Sequence, residues 1–279
     1  MAYSTFYTNT SDTDLDKEQL LKSPDIFIMK HIRENTGTLA LSTSGDDVIT
    51  DTNAAFTVDG LISTVGLNLY MIDDNSKLAI GKISDNDATT FTFEADDMLL
   101  VEDGVTAPTF TNGETYSYRV LTPSSAYAYG PFLGYSKELS FSSEPETVEL
   151  KNGIPRELIR EDLLENVEAL TFALYNVTNS DIIAEVFRLT AYGSQTGQYE
   201  GHHGTNSFNT DKYQITLSTT DVNSKAILYQ FFKTGLRNTG EIALNEEDYK
   251  AYSVSAKLFK DSLRDSTSVN SWMYRKVTT

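Results

Sequence analysis

Apolar and polar residues alternate along much of the chain in short runs, the period-2 pattern of strands that bury one face. Leu67, Leu69 and Met71 alternate in this way, as do Tyr116, Tyr118 and Val120. Tyr213, Ile215 and Leu217 follow, then Tyr252, Val254, Ala256 and Leu258. Each run is rich in aromatic and branched residues that suit a pleated surface. Between runs stand Asp103-Gly104, Asn112-Gly113 and Asn152-Gly153. Such dipeptides accept the positive φ of hairpin turns, so the pattern predicts antiparallel sheets.

A period near 3.6 occurs in two places. From Asn179 to Leu189, the residues Ile182, Ile183, Val186, Phe187 and Leu189 fall on one stripe. Asn179 or Ser180 can cap it, Asp181 suits its positive end, and Gly193 lies just beyond. This predicts one short helix lying against a sheet. Leu15 to Lys22, between Thr13 and Ser23-Pro24, reads either as a second helix or as an acidic arm. The fold expected is mainly β: an antiparallel β-sandwich or barrel with one flanking short helix, and an additional small β domain in the N-terminal half.

Composition shifts near residue 125, from short Thr/Asp/Asn-rich runs to longer, more aromatic ones. The predicted partition is an N-terminal arm and first strand over 1–43, an inserted or accessory β domain over 44–122, and a main β unit over 123–279. No internal repeat stands out.

Charge and residue usage narrow the function. The 279 residues include no cysteine, which excludes disulfides, thiolate metal sites and cysteine nucleophiles. No apolar run reaches the roughly 18 residues a membrane helix needs, and MAYSTFYTNT has neither basic region nor apolar core. We therefore expect folding in a bacterial-type cytosol and no membrane partner. A net charge of −18 repels phosphate, so specific nucleic-acid binding is not expected. The same acidity suits either a wall past which DNA slides or plain solubility.

Candidate chemistry is sparse. Asp12, Asp14 and Asp16 have the spacing of a calcium loop, but Lys17 replaces the glycine of its turn and Ser23 the bidentate glutamate. Asp73-Asp74-Asn75 and Asp85-Asn86-Asp87 read as turns in preference to cation sites. His202 and His203 lie adjacent between glycines, and His31 is far from them in sequence, so no zinc face forms. No nucleophile elbow, phosphate loop or dinucleotide fingerprint occurs. We expect no catalytic residues, no metal and no cofactor, and a protein that is not an enzyme.

One order of elements is distinctive: strand Lys137 to Phe141, polar segment Ser142 to Asp162, strand Val167 to Tyr175, helix Asn179 to Leu189, then strands Lys212 to Ser218, Lys225 to Phe232 and Tyr249 to Phe259. Over residues 126–265 this order resembles the tail tube (major tail) proteins of long-tailed bacteriophages. The stretch Glu138 to Arg156, ELSFSSEPETVELKNGIPR, is similar to the segment entering that family's long loop. The resemblance implies self-assembly into hexameric rings stacked as a tube in the virion tail, with other tail proteins at its ends. DNA would pass through the lumen during ejection as cargo, without specific binding.

Under that resemblance, the loop Ser143 to Asp162 bridges rings or subunits through Glu144, Glu146, Glu149, Arg156, Arg160, Glu161 and Asp162, and Trp272 docks on a neighbour. Tyr116, Tyr118, Tyr127 and Tyr129 offer aromatic contacts, although core packing accounts for the first two equally well. The competing expectation is a carbohydrate- or receptor-binding β-sandwich module of a virion or cell surface, its ligand gripped by aromatic and acidic loops.

Overall fold

A computed structural model describes residues 24–42, 46–54, 67–93, 98–101, 105–122, 132–152, 157–175, 189–191, 199–201, 211–220, 226–238, 252–259, 261, 263 and 274–278. Among the described residues there are strands and no helix. The chain divides into two compact units. The first comprises Met1–Leu133, Asp211–Lys233 and Lys260–Thr279; the second comprises Gly134–Thr210 and Thr234–Phe259.

The first unit is built on a closed six-stranded antiparallel barrel. Its strands are β1 (Asp25–Ala40), β2 (Asp47–Thr50), β3 (Asn68–Ile72), β4 (Leu78–Asn86), β5 (Thr90–Phe93) and, after the two-residue β6 (Leu99–Leu100), β7 (Thr115–Thr122). Around the barrel they run β1, β2, β5, β4, β3, β7, and β7 returns to β1. β3, β4 and β5 follow one another as hairpins while β2 lies beside β5, which is a Greek-key arrangement. Closure leaves these six strands without the exposed edge an open sheet would present.

Alternation fills the interior. Leu39, Ile49, Leu67, Leu69, Met71, Ala79, Ile83, Phe91, Phe93, Tyr116, Tyr118 and Val120 form one buried cluster, plugged by Met98 and Leu100. Phe91 meets Tyr118 edge to face with ring centroids 5.0 Å apart. The two alternating runs expected for Leu67 to Met71 and Tyr116 to Val120 therefore both line the barrel.

The outer face of the wall formed by β3, β4 and β7 is buried as well. Here β12 (Tyr213–Thr220) pairs with Asp25–Lys30 of β1, the first part of β13 (Ala226–Asn238) lies beside β12, and β15 (Tyr274–Thr278) pairs with Ile227–Phe231. Phe27, Met29, Leu228, Phe232 and Leu263 pack against Tyr70, Leu78, Ile80 and Leu121 of the wall. Covering on both faces explains why Asn68 to Met71 is buried at every position. Asn68 and Tyr70 are accommodated by polar contacts: Asn68 Nδ2 donates to Met29 Sδ, and Gln214 Nε2 donates to Tyr70 Oη at 2.9 Å.

In the second unit, β8 (Phe132–Asn152) and β9 (Glu157–Tyr175) form a long hairpin. β9 pairs onward with β14 (Tyr252–Leu258), and β14 with the Thr234–Asn238 part of β13. Leu170, Phe172 and Leu174 stand in register with Ala256, Val254 and Tyr252, and the first three, Ala256 and Val254 are buried. A separate two-stranded pair joins β10 (Leu189–Ala191) and β11 (Tyr199–Gly201).

One expectation changes. The polar segment Ser142 to Asp162 is not a loop throughout: its described residues, up to Asn152 and from Glu157, are strand. Charged and polar residues outnumber the apolar ones there, so the segment reads as a loop. Of the helix expected from Asn179 to Leu189, residues 179–188 lie outside the described residues, and Leu189 opens a strand. The stretch Leu15 to Lys22 also lies outside them. Among the expected turns, Asn112-Gly113 is seen, with Gly113 at φ 85°. Its Asn112 Oδ1 accepts from Leu41 N at 2.9 Å.

Gly37 marks where β1 passes closest to β2. A Cβ added there would sit 2.5 Å from Ile49 Cγ2 and 3.0 Å from Thr50 O, the latter a backbone atom that cannot rotate away. Gly37→Ala is therefore expected to destabilise the protein by about 1–3 kcal/mol through overpacking, measured as a lowered midpoint in denaturant unfolding. An unchanged midpoint would mean the β1–β2 contact is looser than drawn.

Candidate assembly interface

The β8–β9 hairpin outgrows its sheet. β14 accompanies β9 only from Ala169 to Leu174. Beyond that point Ser143 to Asn152 and Glu157 to Glu168 continue as a ribbon of ten paired positions. At ~3.3 Å per residue, the ribbon extends about 30 Å. Register shifts between Glu146/Thr147 and between Leu150/Lys151 bend and twist it along its length.

The ribbon collects most of the residues expected at an interface. Glu144, Glu146 and Glu149 lie on β8; Arg160, Glu161 and Asp162 lie on β9. Arg156 and Trp272 fall outside the described residues. Glu149 is paired with Glu161, Leu150 with Arg160 and Val148 with Asp162. Glu146 is paired with Glu165, a residue the sequence reading had not singled out. From Ser143 to Glu168 the chain has eight acidic and three basic residues, a net of 3 − 8 = −5. Like charges at directly opposed positions weaken a ribbon standing alone. A two-stranded ribbon is in any case marginal in water without a third strand or a packed face.

Near the ribbon's root, Tyr135, Leu139 and Phe141 are exposed to 44%, 37% and 46%. Leu139 and Phe141 stand opposite the buried Phe172 and Leu170, so the apolar face of the second unit's sheet runs out to its β8 side.

Two buried polar clusters escaped the sequence reading because their members are distant along the chain. At one end of the barrel, Asp51 Oδ2 accepts from Tyr118 Oη at 2.6 Å, Asn35 Nδ2 at 2.8 Å and Arg33 Nη2 at 3.1 Å. Asp51 Oδ1 accepts from Asn53 N at 3.0 Å. Burial alone would raise the Asp51 pKa, but these donors, Tyr118 first, outweigh it and hold the carboxyl below its ordinary value. Burial and then Asp51 push the Tyr118 phenol well above its ordinary value. Nearby, Tyr116 Oη donates to Asp74 Oδ1, which orders the β3–β4 turn.

The second cluster stands on the barrel's outer face. Arg119 and Glu34 are register partners on β7 and β1, joined by Arg119 Nη2 to Glu34 Oε2 at 2.8 Å. Arg119 also donates to both oxygens of Asp261, and Lys233 Nζ donates to Glu34 Oε1 at 3.2 Å. Arg119 and Asp261 are fully buried. Burial pulls the Arg119 guanidinium downward, yet Asp261 and then Glu34 hold its pKa above the ordinary arginine value. Alternation places Arg119, between the core residues Tyr118 and Val120, on the face away from the barrel interior, so the sequence carried no signal that this cation is buried.

The acidic turns act as turns. Asp73 Oδ1 accepts from Asn75 N and Lys77 N at 2.9 and 2.8 Å, and Asp87 Oδ1 from Thr89 N and Thr90 N, both at 2.8 Å. Among the described residues no group of three or more acidic, histidine or cysteine side chains could hold a metal ion. Asp12, Asp14, Asp16, His202 and His203 lie outside those residues. No protein-family model matches the chain, and a search of curated proteins finds no match either.

The lowered pKa of Asp51 gives a signed prediction. A carboxyl whose folded pKa is depressed contributes stability that is complete above the unfolded value, near 3.8, and is lost as pH falls through the folded value. Asp51→Asn should therefore lower the thermal midpoint at neutral pH, and its deficit against the native protein should shrink below about pH 4. Parallel curves through that range would show that Asp51 is not the titrating group.

Proposed function

We propose that this protein is a structural subunit of a phage-type tail tube, which assembles with copies of itself into stacked, hexameric rings whose lumen conducts DNA during ejection. The observation that carries the reading is the ribbon from Ser143 to Glu168, which continues for ten paired positions beyond the reach of the third strand of its sheet. Strands of that kind are stabilised by lying along another subunit, where backbone edges and mixed charges find partners.

Glu144, Glu146, Glu149, Arg156, Arg160, Glu161 and Asp162 set the register of the contact between copies, and Trp272 adds a second contact. The interface is heterologous, so it closes around the ring and grows openly along the axis. The net charge of −18 keeps the lumen from binding the DNA that passes. Other tail proteins cap the tube, and the protein resides in the virion tail after synthesis in the host cytoplasm. Its role is mechanical: it needs neither cofactor nor metal.

Electron microscopy of the purified protein tests this. Rings or tubes are expected for the native chain. The double variant Arg156→Glu/Arg160→Glu, which takes the Ser143–Glu168 stretch from −5 to 1 − 10 = −9, should abolish stacking while leaving the melting temperature unchanged. Unaltered tubes from that variant would remove the ribbon from the interface. A native protein that stays monomeric and binds a glycan array would favour the surface-binding module instead.

A further inference from the structure

Gln214 and Thr216 stand two residues apart on β12, so their side chains leave the strand on the same side. That side is the covered one. Their register partners on β1 are Met29 and Phe27, both members of the apolar cluster between the outer layer and the barrel wall. Gln214 and Thr216 are fully buried there. Gln214 Nε2 donates to Tyr70 Oη at 2.9 Å, which links β12 to strand β3 of the wall. Its other end, Oε1, and the neighbouring Thr216 Oγ1 have no hydrogen-bond partner among the described residues.

In the unfolded chain both oxygens bond to water, so burying them bare forfeits those bonds without replacement. Turning the Gln214 amide over does not mend this. Tyr70 would then donate to Oε1, and Nε2 would be the group left over.

We propose that the first unit holds an internal water molecule, bound between Gln214 Oε1 and Thr216 Oγ1. It rests on these buried atoms alone and not on the assembly reading.

The chemistry of the two atoms suits water. Gln214 Oε1 only accepts, so the water donates one proton to it; the Thr216 hydroxyl both donates and accepts, so it takes the second proton or gives its own. Strand residues two apart start about 6.6 Å from one another. A water with a hydrogen bond of ~2.8 Å on each side spans most of that, and the length of the glutamine side chain accommodates the rest. An ion is a poorer occupant, because both ligands are uncharged and the cluster around Met29 and Phe27 is apolar. The water also has a structural effect: with Oε1 engaged, the amide is held with Nε2 toward Tyr70, so the polar link between the layer and the wall keeps one orientation.

A crystal or electron-microscopy map of the full chain, at a resolution that shows ordered solvent, tests the site. A solvent peak within hydrogen-bond distance of both Gln214 Oε1 and Thr216 Oγ1 is expected. Clear density for both side chains with no peak between them, or with another side chain bonded to those oxygens, would overturn the proposal. Thr216→Val, which removes the hydroxyl and keeps the branched shape, should lose the peak and melt about 2–4 °C lower. A melting temperature that holds or rises would contradict the proposal, since removing a bare buried hydroxyl relieves a penalty. If that variant fails to fold, the map of the native protein decides.

Discussion

Everything in the first unit depends on β1 pairing with both the barrel and the layer outside it. Its 16 residues pair with β12 over Asp25–Lys30, with β7 over Lys30–Thr38 and with β2 over Thr38–Ala40. The β7 pairing closes the barrel, and the β12 pairing founds the layer that buries the barrel's outer wall. The register shift between His31 and Arg33 falls where the β12 pairing ends and the β7 pairing takes over, so the extra residue bends the strand at that point. Without that closure β7 and β2 would each present an open edge, and the Phe91–Tyr118 interior would face water.

The two polar clusters described in the first unit join segments that are distant along the chain. Asp51 gathers donors from β1 and β7 at one end of the barrel. Arg119 ties β7 to a residue 142 positions later. Breaking a buried pair of this kind by removing one partner costs about 3–5 kcal/mol, since it strands the other charge. Such contacts fix which segments meet, a task that apolar packing alone performs with less specificity.

What was legible in the sequence follows from contrast between faces. Leu67 to Met71 and Tyr116 to Val120 alternate cleanly because a barrel interior lies on one side, and the five later strands expected at Lys137 to Phe141, Val167 to Tyr175, Lys212 to Ser218, Lys225 to Phe232 and Tyr249 to Phe259 coincide with parts of β8, β9, β12, β13 and β14. Burial of Tyr70 and Arg119 on the opposite face was not legible, since a second layer is a tertiary fact. The ribbon was read as a loop because Glu144 to Asp162 is dominated by charged residues, and the short Val148/Leu150 alternation is too brief to stand out. Glu34, Lys233 and Asp261 gave no warning, because ion pairs between residues so far apart leave no local signature.

The central claim is that a β-ribbon unable to stabilise itself is completed by sister copies. Sedimentation velocity over a wide concentration range, comparing the native chain with a variant in which Ser143–Glu168 is replaced by a two-residue Asn-Gly turn, tests it most directly. The account predicts that the native protein sediments as rings and larger stacks, and that the shortened protein is a folded monomer with an unchanged melting temperature. Identical sedimentation of the two would contradict it.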